Sequence, residues 1–115
     1  PAPAYQEFNM RQIVVSQTGT GTSQTIPLDI HGRPEISLQV AVSGTVNWTI
    51  QQTLDNVFDA SITPTWIDHP DTNMVAQTTN RQGNYAYVPS AVRLVVNSGS
   101  GTARLTIVQA GLARA

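Results

Sequence analysis

The stretch EISLQVAVS, Glu35 to Ser43, sets Ile36, Leu38, Val40 and Val42 against Glu35, Ser37, Gln39, Ala41 and Ser43. Successive side chains of a strand point to opposite faces, so this alternation describes a strand with one buried side and one wet side. The same period returns after Gly44, where Val46, Trp48 and Ile50 alternate with Thr45, Asn47, Thr49 and Gln51. It returns twice more near the C-terminus, in AVRLVVN and TARLTIVQ, and twice near the N-terminus, in RQIVVSQ and QTIPLDI around the Gly/Thr stretch TGTGTS. Helical periodicity is hard to find, and the chain reads as all-β. Pro27 has no N–H to give to a ladder, which makes its strand an edge strand or a bulged one.

Parity suggests how these strands connect. Val42 and Val46 can share a buried face across Ser43-Gly44-Thr45 as a three-residue hairpin turn. In the C-terminal pair Val92, Leu94 and Val96 point inward from even positions, while Ala103, Leu105 and Ile107 do so from odd ones. A four-residue hairpin loop, Ser98-Gly99-Ser100-Gly101, satisfies that change and pairs Val96 with Ala103 and Leu94 with Leu105. SGTVNWTI and SGTARLTI look alike, and the likeness reads as shared turn-and-strand grammar. Between the two pairs, Leu54 to Pro89 is the least regular region. It has room for short strands around Thr65 to Ile67, Met74 to Thr78 and Tyr85 to Val88, and for a helical turn near Leu54 to Phe58.

Seven or eight short strands with two apolar faces to cover imply two packed antiparallel sheets, a β-sandwich of jelly-roll-like or immunoglobulin-like topology. At 115 residues one core is enough, and residues 11–115 form a single domain. PAPAYQEFNM, residues 1–10, reads as an extended arm, because its two early prolines disfavour helix.

Composition narrows the function classes. Only 11% of residues are charged, the net charge is −1, and every one of the 6 basic residues is an arginine. Six dispersed arginines against seven acids make no single-sign patch, so neither nucleic acid nor an anionic membrane is an expected partner. No apolar run approaches the roughly 20 residues of a membrane-spanning helix, and a soluble chain is expected. With 0 cysteines there is no disulfide and no thiolate ligand or nucleophile. The polar faces are built from Thr, Ser, Asn and Gln, which stay wet without long-range repulsion and tolerate close neighbours.

The candidate sites are few. WIDHPDTN brings Asp68, His69 and Asp71 close in sequence, but acid–base or metal chemistry needs further converging groups, and Asp-His-Pro-Asp reads as a proline-directed turn. No serine sits in a nucleophile elbow, and no helix follows the glycine loops to make them phosphate cradles. Neither enzymatic activity, a cofactor nor a metal is expected. Asn47-Trp48-Thr49 matches the glycosylation sequon, a chance match in a chain that shows no secretory route. Trp48 is in phase with the core, while Trp66, Tyr85 and Tyr87 remain candidates for an aromatic platform that binds glycans.

Taken in order, VSGTVNWTIQQTLDN, PTWIDHP and GNYAYVPSAVRLVVNSGSGTARLTIVQAG resemble a group of small all-β proteins from the virion-structure genes of tailed bacteriophages. The likeness runs from about Leu38 to Gly111 and carries no catalytic residues. It implies a capsid decoration or cement protein, or a small head or tail component. The expected role is therefore structural: a protein that binds the major capsid protein and itself, as a homotrimer, on a virion assembled in the bacterial cytoplasm. Its expected contacts are Pro1, Pro3, Tyr5 and Phe8 of the arm, and Thr45, Asn47, Thr49 and Gln51 of the uncharged strand face. The alternative keeps the fold but gives it a host glycan, bound by Trp66, Tyr85 and Tyr87 on the tail or head surface.

Overall fold

The computed structural model describes residues 10–28, 35–85 and 87–110. The arm residues Pro1, Pro3, Tyr5 and Phe8 lie outside the described residues. Among the described residues nine strands run in chain order: β1 (Met10–Thr18), β2 (Gly21–Thr22), β3 (Ile26–Pro27), β4 (Glu35–Ser43), β5 (Val46–Thr53), β6 (Ile67–Asp68), β7 (Arg81–Tyr85), β8 (Ala91–Gly99) and β9 (Thr102–Ala110). One sheet has the order β1-β9-β4-β7; the other has β2-β8-β5-β6, with β3 also paired to β8. Every pairing is antiparallel.

Each long strand turns its apolar residues to the space between the sheets. Ile36, Leu38, Val40, Ala103, Leu105 and Ile107 come from one sheet, and Val46, Trp48, Ile50, Val92, Leu94 and Val96 from the other, all buried. Ile13, Val15, Val42 and Val88 pack against this core as half-buried residues. Met74, carried by a short 3-10 turn at Thr72–Met74, is also fully buried. It lies against β7 where Gly83 leaves room, since a Cβ there would stand 2.9 Å from the Met74 sulfur.

The two expected hairpins are not hairpins. β4 pairs with β9 and β5 pairs with β8, so Val96 is not opposite Ala103, and Leu94 is not opposite Leu105. Instead Ser43-Gly44-Thr45 and Ser100-Gly101 carry the chain from one sheet to the facing one. The register Glu35↔Ala110 through Ser43↔Thr102 resumes in step at Val46↔Gly99 and Asn47↔Ser98. The β4–β5 and β8–β9 segments are thus two arms of one long antiparallel ribbon folded over at its middle. β1 follows the same fold, pairing β9 before the chain crosses at Gly19 to pair β8 through β2 and β3. A ribbon wound this way is the jelly-roll arrangement, in contrast to the immunoglobulin alternative. Parity could not separate hairpin from crossing, because a chain that steps to the facing sheet also keeps its apolar side inward.

Glycine makes the shared corner possible. Gly101 N–H donates to Thr45 O at 2.8 Å, and Gly19 N–H donates to Gly101 O at 3.0 Å, so three crossings are tied together. A Cβ on Gly101 would meet Ser43 O at 2.4 Å, and one on Gly44 would meet the Gly101 Cα at 3.2 Å. The backbones approach more closely than any side chain permits.

The long segment after β5 returns to cover that strand's free edge. Gln51 and Gln52 pair with Asp68 and Ile67 of β6, His69 N–H donates to Ile50 O, and Gln77 bridges Trp48 in both directions. The expected strand at Met74 to Thr78 is therefore a single bridge, and that at Tyr85 to Val88 lies earlier, at Arg81–Tyr85. Leu54 to Phe58 forms no helical turn. Thr53, Asn56 and Asp59 instead accept main-chain N–H groups from Asp55, Phe58 and Ser61, the local side-chain bonds that compete with helix. Pro27 sits in a strand paired on one side only, as its missing donor requires.

Candidate functional site

His69 is 5% exposed and plays a structural part. Its Nδ1 accepts the Asp71 main-chain N–H at 2.9 Å, which leaves Nε2 to carry the proton and donate to Asn84 O at 2.9 Å. The imidazole is thereby held neutral between two backbone partners. Burial lowers its pKa, against the opposing pull of the Asn84 carbonyl and the Asp71 charge. Asp68 accepts from the Gln51 amide at 2.9 Å, while Asp71 caps the short 3-10 turn through the Asn73 N–H. The run is the proline-directed turn that its sequence suggests. Among the described residues, no three His, Cys, Asp or Glu gather to hold a metal.

The aromatic trio is not brought together as a platform. Tyr85 is 8% exposed, its hydroxyl donates to Gln52 Oε1 at 2.9 Å, and its ring lies 4.4 Å from that of His69. Burial, reinforced by Tyr87, raises its pKa far above the usual tyrosine value. Tyr87 is exposed at its side, 5.8 Å between ring centres. Trp66 is elsewhere, with the Arg93 guanidinium 4.4 Å from its ring centre. Burial lowers the pKa of Arg93, whose Nε donates to Gln51.

The uncharged stripe on β5 is largely spoken for. Thr49 is 5% exposed, and its hydroxyl accepts both from Ala76 N–H and from the Asn97 amide. Asn47 accepts from the same amide, Asn97 being the extra residue of a bulge opposite Asn47/Trp48. Gln51 is held between Asp68 and Arg93. Thr45 alone of the four stays exposed. Contrary to expectation, then, Thr49 is buried and Asn47 and Gln51 are half-buried, their polar groups taken up by Ala76 and Asp68 of the segment after β5 and by Asn97 and Arg93 of β8.

The open polar face is on the other sheet. The registers put Gln12, Val108, Ser37 and Asn84 in one outward row, and Val14, Thr106, Gln39 and Gln82 in the next. Ser16, Arg104 and Ala41 form a third row, and Thr18, Thr102 and Ser43 a fourth. Arg104 is the one charge in these rows. Val14, 53% exposed, stands among them as an apolar contact point. The alternation in RQIVVSQ, EISLQVAVS and TARLTIVQ held this information strand by strand, but not the fact that the three lie side by side.

At the β7 edge the face ends in a notch. β7 begins at Arg81, opposite Val40, so on that side the last residues of β4 have no ladder partner, and Asn80 Oδ1 accepts the Val42 N–H in its place. The result is an open cleft of about 690 Å³ lined by Gln39, Asn73, Asn80, Arg81, Gln82 and Arg104 among others, with no carboxylate.

No protein-family model and no curated protein matches the sequence. Among solved structures, the fold is similar to that of a disulfide-linked pilus of Bacillus endospore appendages, with a TM-score of 0.50 and 13% identity over 90% of this chain and 88% of that one. That likeness is one of fold. A mitogen from Yersinia pseudotuberculosis aligns at TM-score 0.35 and 11% identity, covering 94% of this chain and 91% of its own. A chain of infectious bursal disease virus aligns at TM-score 0.33 and 14% identity, covering 92% of this chain and 31% of its own.

Proposed function

We propose that the protein is a non-enzymatic structural subunit of a tailed-phage virion, a capsid decoration or cement protein that binds the major capsid protein and stabilises the head. The observation that carries this reading is the outward face of the β1-β9-β4-β7 sheet. Its first two rows, Gln12 to Asn84 and Val14 to Gln82, hold eight uncharged side chains on four paired strands. Such a face docks on protein without stripping water from charges. The resemblance of Leu38 to Gly111 to virion-structure proteins points the same way. A pilus of similar fold is a further case of a sandwich serving as a repeating unit, though a chain with 0 cysteines must assemble without disulfide links.

Ser37 and Gln12 are exposed and flank Val108 in the first row. Changing both to glutamate places two charges in the contact without touching the core. The variant should keep its melting temperature and lose co-sedimentation with capsids that lack the decoration protein. Undiminished capsid binding would remove this face from the account.

A further inference from the structure

Two exposed features of the molecule fit each other chemically. The first is the loop from Asp55 to Thr65. Its base is clasped by the Asp55 carboxylate, which accepts the Thr65 N–H at 2.6 Å. Inside it, Asn56 Oδ1 accepts the Phe58 N–H at 2.9 Å, and Asp59 Oδ1 accepts both the N–H and the hydroxyl of Ser61 at 2.9 and 2.6 Å. This pre-formed loop holds the Phe58 ring 80% exposed beside the Asp59 carboxylate, with Ile62 also exposed. A loop ordered by Asn56 Oδ1 and Asp59 Oδ1 that still leaves an exposed carboxylate and an aromatic ring in water is shaped for contact.

The second is the cleft at the end of β7, where Arg81 and Arg104 stand among Gln39, Asn73, Asn80 and Gln82. An arginine offers its flat face to an aromatic ring and its N–H fork to a carboxylate, and the neighbouring Phe58 and Asp59 supply both. The molecule already uses the first half of this pairing where Arg93 lies over Trp66. The loop leaves β5 after Thr53, whereas the cleft adjoins Ala41, close to the Gly44 corner on the facing sheet. The loop starts beyond the last residue of β5, and the cleft flanks Gln39 to Ala41 of β4, so the two lie on facing sheets at different distances from that corner.

We propose that the Phe58–Asp59 loop of one copy docks in the Arg81/Arg104 cleft of a second copy. The contact joins two different patches and is therefore heterologous. Repetition closes a ring or extends a row, and the trimer expected of a capsid protein is the three-membered closure. The cleft takes in Gln39 and Gln82 of the second uncharged row and leaves the first row, Gln12 to Asn84, free to meet a shell. The inference deepens the proposed function and leans on it only for the setting in which copies meet.

The test uses full-length chains and mass photometry or sedimentation velocity, without capsids. One variant, F58A/D59N, loses the knob; another, R81Q/R104Q, loses the cleft. All four positions are exposed, so melting curves should match that of the unchanged protein. Each variant alone should associate roughly 30-fold more weakly or worse, the scale of an interface hot spot. Mixed, they should form one-to-one pairs that grow no further, since each supplies the half the other lacks. A wild-type chain that stays monomeric at high concentration, variants that assemble normally, or a mixture that forms no pairs would each overturn the proposal. Capsid co-sedimentation of the same variants is a separate readout. If the unchanged protein fails to co-sediment while pairing succeeds, the capsid role falls and the copy-to-copy contact stands.

Discussion

Gly101→Ala separates a folded-over ribbon from a pair of hairpins. The new Cβ would lie 2.4 Å from Ser43 O, 2.8 Å from Thr45 N and 2.9 Å from Thr45 O, all of them main-chain atoms that cannot rotate away. Relief requires parting two crossings that Gly101 itself ties, through its N–H to Thr45 and its carbonyl to Gly19. Overpacking of this kind costs about 1–3 kcal/mol, and losing one of the ties adds about 1 kcal/mol. Together they make roughly 2–4 kcal/mol, or a melting temperature lower by about 8–16 °C at about 4 °C per kcal/mol. Gly101 is not among the glycines with positive φ. In a free hairpin loop the same change would stabilise by about 0.4–1 kcal/mol, through the lost freedom of the unfolded chain. Gly19→Ala is the control: nothing lies within 4 Å of its Cβ, and only the left-handed backbone at φ 73 is penalised, by about 1–2 kcal/mol. Urea unfolding of the three proteins reads the difference. A Gly101→Ala protein as stable as the parent would refute the stacked corner.

Three further outcomes follow from named contacts. Tyr85→Phe leaves the buried Gln52 carbonyl without its 2.9 Å donor and should lower stability by about 1–3 kcal/mol in urea unfolding, with no loss of packing volume. For His69 the folded pKa is depressed below 6.5, so its contribution is fully present above that pH and is lost as the pH falls, when an added proton must displace the Asp71 N–H from Nδ1. The unfolding midpoint of the parent should therefore drop between pH 7.5 and pH 5.5 by more than that of His69→Asn; equal drops would show that the imidazole is not so held. If the arm ties neighbours together, deleting residues 1–9 should lower capsid occupancy and head stability, and unchanged values would end that role.

The sequence was most legible where one strand could be read by itself. Alternation in EISLQVAVS identified β4 residue by residue, Trp48 was placed in the core by its phase with Val46 and Ile50, and Pro27 marked an edge. Partnership was not legible, because Val42 and Val46 satisfy the same parity whether the chain turns back within a sheet or crosses to the next. A signal was present in the matched Ser-Gly-Thr triplets at 43–45 and 100–102, which mark two crossings stacked in space. The candidate surface moved for a related reason. Thr49 has the composition of an outer face, but its burial depends on where Ala76 and Asn97 return some tens of residues later, and local pattern does not record that. The same holds for Tyr85, whose hydroxyl is claimed by Gln52 across the sandwich. Asn56 and Asp59 competed with helix through side-chain bonds in a stretch where spacing alone had suggested a turn of helix.

The most direct test of the structural role is to locate the chain on purified virions, by immunogold labelling or in a density map of the particle. The account predicts labelling spread over the head at regular capsid positions, with the face of Gln12, Ser37 and Val108 against the shell. A chain absent from the particles, or confined to the tail tip, would contradict it.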